Sequence, residues 1–137
     1  MKSLIASLTI LFFAFLAHAD APPVVLEDGK NFYEIGLNLN LLEDPTGKLN
    51  INDVNSPKWA EKFKRSKHKA PSFGTSKSSF WAKWDIINNA NKEKIWFLVF
   101  KYPLQDNIHF FKKESEKWNK IVTGDTFQYS FRGIDSR

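Results

Sequence analysis

The chain has 137 residues, 20 basic and 15 acidic side chains, thirteen Phe, five Trp, three Tyr and no cysteine. That length fits one domain, and the missing cysteines exclude disulfides, thiolate nucleophiles and thiolate metal sites. A net charge of +5 is too modest to demand a nucleic-acid partner.

Residues 1–19 read as a secretory signal peptide. Lys2 provides the positive start, Leu4 to Leu16 is mostly apolar, and Ala17-His18-Ala19 is an A-x-A cleavage site. Cleavage after Ala19 would deliver a periplasmic or secreted product covering 20–137, expected as a single domain. No cysteine follows the apolar stretch, so a lipid anchor is excluded. No second long apolar segment follows either, so no membrane span is expected in the mature chain. With Lys2 gone, 19 basic residues face 15 acidic ones, and eighteen aromatics remain to build a core.

From residue 24 onward the pattern is that of strands and turns. Val24-Val25-Leu26 and Phe32-Tyr33-Glu34-Ile35 flank Glu27-Asp28-Gly29-Lys30, which predicts a hairpin because Gly accepts positive φ cheaply. Leu37, Leu39 and Leu41 alternate with Asn38 and Asn40 as in a half-exposed strand. Asp44-Pro45-Thr46-Gly47 is a turn, and the acids around it (Glu43, Asp44, Asp53) lack the spaced oxygen ladder of a calcium loop. Ser56-Pro57 predicts the start of one short helix, with Trp59 and Phe63 four apart on an inward face.

Lys58, Lys62, Lys64, Arg65, Lys67 and Lys69 crowd twelve residues that hold one acid, Glu61. This run reads either as a solvated loop or as a surface for an anionic partner. With Trp59 and Phe63 turned inward, no aromatic is left to interleave the cations, so nucleic acid is not expected.

The centre of the pattern spans Phe80 to Asp125. Phe80, Ala82, Trp84 and Ile86 alternate with Trp81, Lys83 and Asp85, giving a half-buried strand. Asn88 to Glu93 is a polar loop. Ile95-Trp96-Phe97-Leu98-Val99-Phe100 predicts a strand buried on both faces, ended by a turn at Pro103. Ile108 to Phe111 and Trp118 to Val122 predict a strand pair joined through Lys112 to Glu116, and these strands are expected side by side in one antiparallel sheet. Phe127, Tyr129 and Phe131 alternate as if a further strand begins.

Four blocks in order resemble one family. They are Leu42-Glu43-Asp44-Pro45-Thr46-Gly47-Lys48-Leu49-Asn50-Ile51-Asn52-Asp53-Val54, then Trp81-Ala82-Lys83-Trp84-Asp85-Ile86-Ile87-Asn88, then Tyr102 to Phe111, then Thr123-Gly124-Asp125. The chain is similar, from about Val24 to Arg132, to the type-two extracellular sensor domain of bacterial seven-transmembrane receptors with diverse intracellular signalling modules. The resemblance implies an all-β, jelly-roll-like antiparallel β-sandwich with one short helix. It also implies that strands close the sandwich after an Arg-Pro turn. Here Arg132-Gly133 stands in that place and Arg137 follows soon after, so the closing strands are expected to be missing, or supplied by a partner.

No catalytic constellation is legible. There is no G-x-S-x-G, no H-E-x-x-H and no Gly-rich phosphate loop. His68 lies in the basic run, His109 sits beside Asp106 as a structural residue, and Glu114 and Glu116 read as solvated charge. The expectation is a non-enzyme with no cofactor and no metal. It would be the periplasmic ligand-sensing domain of a seven-transmembrane receptor, binding a small molecule or carbohydrate. Trp81, Tyr102, Asp106 and Arg132 are the candidate ligand-binding residues, since rings stack on sugar C–H faces while acids and cations take hydroxyls. The alternatives are a free-standing secreted binding or adhesion module using Lys62, Lys64, Arg65, Lys67 and Lys69, or a non-functional remnant.

Overall fold

The computed structural model describes residues 20–92, 94–101 and 105–127. The expected signal peptide, Tyr102, Arg132 with the Arg132-Gly133 pair, and the strand expected through Tyr129 and Phe131 lie outside these residues. The chain divides into two compact units, 1–91 and 92–137. Its regular structure is dominated by strands in small sheets, an all-β class.

Among the described residues, the first unit holds five strands: β1 (Val24–Leu26), β2 (Asn40–Asp44), β3 (Lys64–Arg65), β4 (Ser79–Lys83) and β5 (Ile86–Asn88). β2 is the centre of an antiparallel sheet in the order β3-β2-β4, with Leu42 opposite Trp81 and Asn40 opposite both Arg65 and Lys83. Two single helical turns follow β2: α1 (Ile51–Val54) and α2 (Pro57–Ala60). Their apolar residues fold back onto the sheet. Leu42, Val54 and Phe63 form the buried cluster, and Leu49, Ile51, Trp59 and Trp81 pack against it. The inward face shared by Trp59 and Phe63 is therefore as expected. Ser56 has extended backbone angles before Pro57, but its hydroxyl donates to the Asp53 carbonyl (2.6 Å) instead of accepting from the helix.

The turn after β2 is organised by one carboxylate. Asp44 is 2 % exposed. Its Oδ1 accepts from Thr46 N (3.0 Å), Thr46 Oγ1 (2.7 Å) and Gly47 N (3.1 Å), and its Oδ2 accepts from Leu49 N (2.9 Å). Burial by itself would raise its pKa, but these hydrogen bonds to the charged form overcome that and hold the carboxyl below its usual range. Asp53 closes a capping box with Asn50 at the head of α1. Both acids are thus consumed by turn and cap, and the plain-turn reading of this loop holds.

Three expectations fail here for one reason: strand partners are chosen by tertiary contacts. Val24–Leu26 does not pair with Phe32–Ile35, which forms no strand. β1 instead runs parallel to β5, with Val24 opposite Ile86. The loop keeps its turn at Gly29 (φ +82), closed by Glu27 N–H donating to Tyr33 Oη (2.8 Å). The leucines at 37, 39 and 41 do not define the buried face of one strand. A 3-10 turn occupies Gly36–Asn38, and Asn40, Leu42 and Asp44 are the buried residues of β2. Asn40 is satisfied there by accepting from Ala21 N (3.0 Å). In β4 the core-facing side is that of Trp81 and Lys83, opposite the side that the Phe80–Ile86 alternation favours. Trp81 covers the cluster beside Leu42. Lys83 lays its stem inward with its ammonium 5.4 Å from the Phe63 ring centre. Phe80 is on the other face, stacked on Phe73 at 4.1 Å.

Among the described residues, the second unit contains one hairpin, β6 (Ile108–Glu114) and β7 (Lys117–Thr123), running in register from Ile108 opposite Thr123 to Glu114 opposite Lys117. The expected pairing is present, but the turn is only Ser115-Glu116, with Ser115 at φ 54. Lys112 to Glu114 therefore belong to β6. Ile95 to Phe100 is not a buried strand. Residues 94–100 carry no strand geometry, and Ile95, Phe97 and Val99 are 85, 62 and 71 % exposed. An apolar run becomes a strand only where another strand takes its N–H and C=O groups. No such ladder forms on these residues.

Candidate functional site

Of the four candidate ligand residues, the structure describes two, Trp81 in the first unit and Asp106 in the second. Trp81 is half-buried against the Leu42–Val54–Phe63 cluster. Asp106 is exposed in the second unit, at the open end of the hairpin. Tyr102 and Arg132 lie outside the described residues.

What the structure does show around Asp106 is a backbone junction. Asp125 N–H donates to Gln105 O (2.8 Å), and Thr126 Oγ1 donates to Asp106 O (2.7 Å). Gly124 has φ +140, and a Cβ there would overlap the Asp106 carbonyl oxygen and come within 3.0 Å of Asn107 Cα. Two of the sequence blocks, Gln105-Asp106-Asn107 and Thr123-Gly124-Asp125, therefore meet, and the glycine is demanded both by space and by its backbone angle. Gly124→Ala is expected to cost this junction about 1–3 kcal/mol of local stability. Hydrogen exchange at the Asp125 amide reads that loss, and unchanged protection would refute the account.

His109 stands edge-on to Phe111 with ring centres 6.4 Å apart. Partial burial, then the nearby Lys120 charge, lowers its pKa below the ordinary 6.5. That makes it a neutral strand residue at physiological pH. Glu114 is ion-paired to Lys112 (2.7 Å) and accepts from Asn119 Nδ2 (2.6 Å). The Lys112 hydrogen bond and charge hold its carboxyl below the usual range. Glu116 lies 3.8 Å from Lys113. These acids are surface ion pairs, which is more structure than the solvated charge expected of them.

The basic run is laid along an edge. Lys64 and Arg65 form β3 at the margin of the sheet, and Lys58, Lys62, Lys67 and Lys69 are exposed around it. Lys62 sits 4.1 Å and Lys58 5.8 Å from the Trp59 ring centre. Behind this edge the chain is pinned: Ser66 N–H donates to Leu39 O (2.8 Å), Ser66 Oγ donates to His68 O (3.0 Å), and the backbone of His68 and Lys69 lies directly against Gly36.

A feature that the strand pattern did not reveal is a cavity of about 440 Å³ beside β1. Val24, Val25, Glu27, Lys30, Phe32, Tyr33, Glu34 and Asn38 contribute to its lining, with Pro23. Its signal in the sequence was the acid- and aromatic-rich stretch from Glu27 to Glu34. That stretch reads as a hairpin until one sees that Phe32–Ile35 takes no strand partner.

Comparison with known families gives one result. The model of a family described as 7TMR-DISM extracellular 2 matches residues 36–137. No curated protein matches the chain.

Proposed function

The chain belongs to the 7TMR-DISM extracellular 2 family, and from that membership we propose that it is a non-catalytic ligand-sensing domain of a seven-transmembrane receptor, acting outside the cytoplasm. The observation that carries this reading is the match over residues 36–137. It takes in the β2–α1 block, β4, β5 and the hairpin junction. Commitment of Asp44, Asp53 and Glu114 to turn, cap and ion pair supports a non-catalytic role.

The finer reading is an exported jelly-roll sandwich, freed by cleavage after Ala19, that takes a carbohydrate through Trp81, Tyr102, Asp106 and Arg132. Its test is thermal unfolding of the exported chain, followed by near-ultraviolet circular dichroism with neutral mono- and oligosaccharides. A ligand present at a hundred times its Kd stabilises by about 2.7 kcal/mol, so a cognate sugar raises Tm in a concentration-dependent way. Asp106→Asn should diminish that shift. If no sugar moves Tm, the carbohydrate reading falls while the family assignment stands.

The exposed cations along β3 favour a second reading, a docking surface for an anionic polymer. Added salt separates the two. Contacts between exposed charges are screened over about 8 Å at physiological ionic strength, whereas stacking of a neutral sugar is indifferent to salt.

A further inference from the structure

We infer that the open edge of β3 docks an extended acidic polypeptide segment, which adds to the sheet as a further strand. The inference rests on the reading of the cations along β3 as a surface for an anionic polymer, and it names that polymer.

The phase of the hydrogen bonds decides what the edge offers. Facing residues of an antiparallel pair alternate between exchanging both N–H···O=C bonds and exchanging none. Ser66 N–H donates to Leu39 O (2.8 Å), which makes Leu39–Ser66 a bonded position. Asn40–Arg65, next in the register, is then a non-bonded one. The N–H and C=O of Arg65 therefore point away from β2. β3 ends the order β3-β2-β4, and Arg65 is exposed. Among the described residues neither of these two groups takes a hydrogen bond.

Charge selects the occupant. Lys58, Lys62, Lys64, Arg65, Lys67 and Lys69 are exposed on and around this edge. Among the described residues none of the six side chains takes an ion pair. Cations on an exposed edge repel a second copy of the same edge, so self-pairing is disfavoured here. An acidic segment meets the opposite sign. A polyanion without amides answers the charge but brings no N–H and C=O at strand spacing for Arg65. An extended peptide supplies main-chain donor and acceptor together, and its acids fall beside the cations.

The experiment titrates the chain with a short blocked peptide alternating Glu and Val, in low-salt buffer, read by calorimetry and by amide hydrogen exchange. Two further probes keep negative charge and remove the strand: the same peptide N-methylated at every residue, and polyphosphate. The expected result is saturable binding of the unmethylated peptide with slower exchange at the Arg65 amide. Affinity for the N-methylated peptide should be lower by about tenfold or more. Lys64→Gln/Arg65→Gln should weaken the unmethylated peptide about tenfold. Both positions are exposed, and near-ultraviolet circular dichroism identical to that of the unsubstituted chain shows that the fold is kept. Lys117→Gln, at an exposed cation of the second unit, serves as control and should bind like the unsubstituted chain. Equal affinity for the methylated and unmethylated peptides overturns strand addition and leaves the anionic-polymer reading standing, as does binding of polyphosphate alone. Unchanged exchange at Arg65, undiminished binding in the double variant, or equal weakening by Lys117→Gln also overturns it. If none of the three probes saturates by about 10 mM, the inference and the anionic-polymer reading fall together.

Discussion

Gly36→Ala is expected to lower the melting temperature of the chain by roughly 10–20 °C, the equivalent of about 3 kcal/mol in a domain of this size. Gly36 is buried, and a methyl group there would overlap the carbonyl carbon and oxygen of Lys69 and lie 2.8 Å from His68 O. Those atoms are backbone, so no side-chain rotation can relieve the overlap. The segment after β3 has to move away. Movement would strain the Ser66-to-Leu39 hydrogen bond and with it the alignment of Lys64, Arg65, Lys67 and Lys69 along the sheet edge. Gly29→Ala makes the comparison informative. At φ +82 with nothing within 4 Å, it pays only the left-handed backbone strain of about 1–2 kcal/mol. If Gly36→Ala melts with the parent, or no lower than Gly29→Ala, the close approach of residues 68–69 to residue 36 is wrong.

The second large effect belongs to Asp44. Asp44→Ala removes one carboxylate and leaves the N–H groups of Thr46 and Leu49 without their acceptor, while Gly47 N–H keeps the Asp44 backbone carbonyl (3.2 Å), for a loss of about 3 kcal/mol. Asp44→Asn is more selective. Its amide oxygen can still serve Thr46 and Gly47, but its NH2 would face Leu49 N–H, donor against donor, costing about 1–3 kcal/mol. The pH dependence has a fixed sign. Because the folded carboxyl titrates below its unfolded value of 3.8, the unfolded chain binds the proton first. The contribution of Asp44 is therefore complete above 3.8 and is lost as pH falls through the lower folded value. The stability gap between the parent and Asp44→Asn should be flat above about pH 5 and narrow below 3.8. Urea titrations across that range measure it. A gap that stays constant to the acid limit, or no gap at neutral pH, would remove Asp44 from its organising role.

Turn chemistry was the most legible part of the fold. Asp44-Pro45-Thr46-Gly47 reads as a turn because Pro and Gly fix local angles, and Gly47 does sit at φ +63. Ser56-Pro57 marked the start of a helical turn for the same local reason, and the Trp59 and Phe63 spacing announced which side faces inward. The β6–β7 pairing was legible because its two strands are joined by a tight turn, so register follows from adjacency. The second helical turn, α1, was also present in the sequence as Asn50 with Asp53 three residues on. There the acids were weighed as metal ligands and not as a cap.

Pairing between distant segments was not legible. Val24–Leu26 carries the same residues whether it folds back on Phe32–Ile35 or lies beside Ile86–Asn88, and only the three-dimensional arrangement selects the second. The candidate site shares that uncertainty. Trp81 and Phe80 are both large and aromatic at adjacent positions, and a strand must put them on opposite faces. Which face is the core depends on Leu42 and Val54, residues remote in sequence.

By itself, then, the sequence determined the all-β class, the family, the turns and the local helical starts. These rest on φ/ψ preferences and on contacts within a few residues, which the chain carries wherever it folds. The tertiary structure alone decided that β1 runs parallel to β5, and that the side of β4 bearing Trp81 and Lys83 covers the core. It also decided that Asp44 is buried under four hydrogen bonds, and that the stretch from Glu27 to Glu34 borders a cavity. Each of those outcomes is a choice among partners of nearly equal local merit, and only burial and hydrogen-bond satisfaction across distant segments can make it.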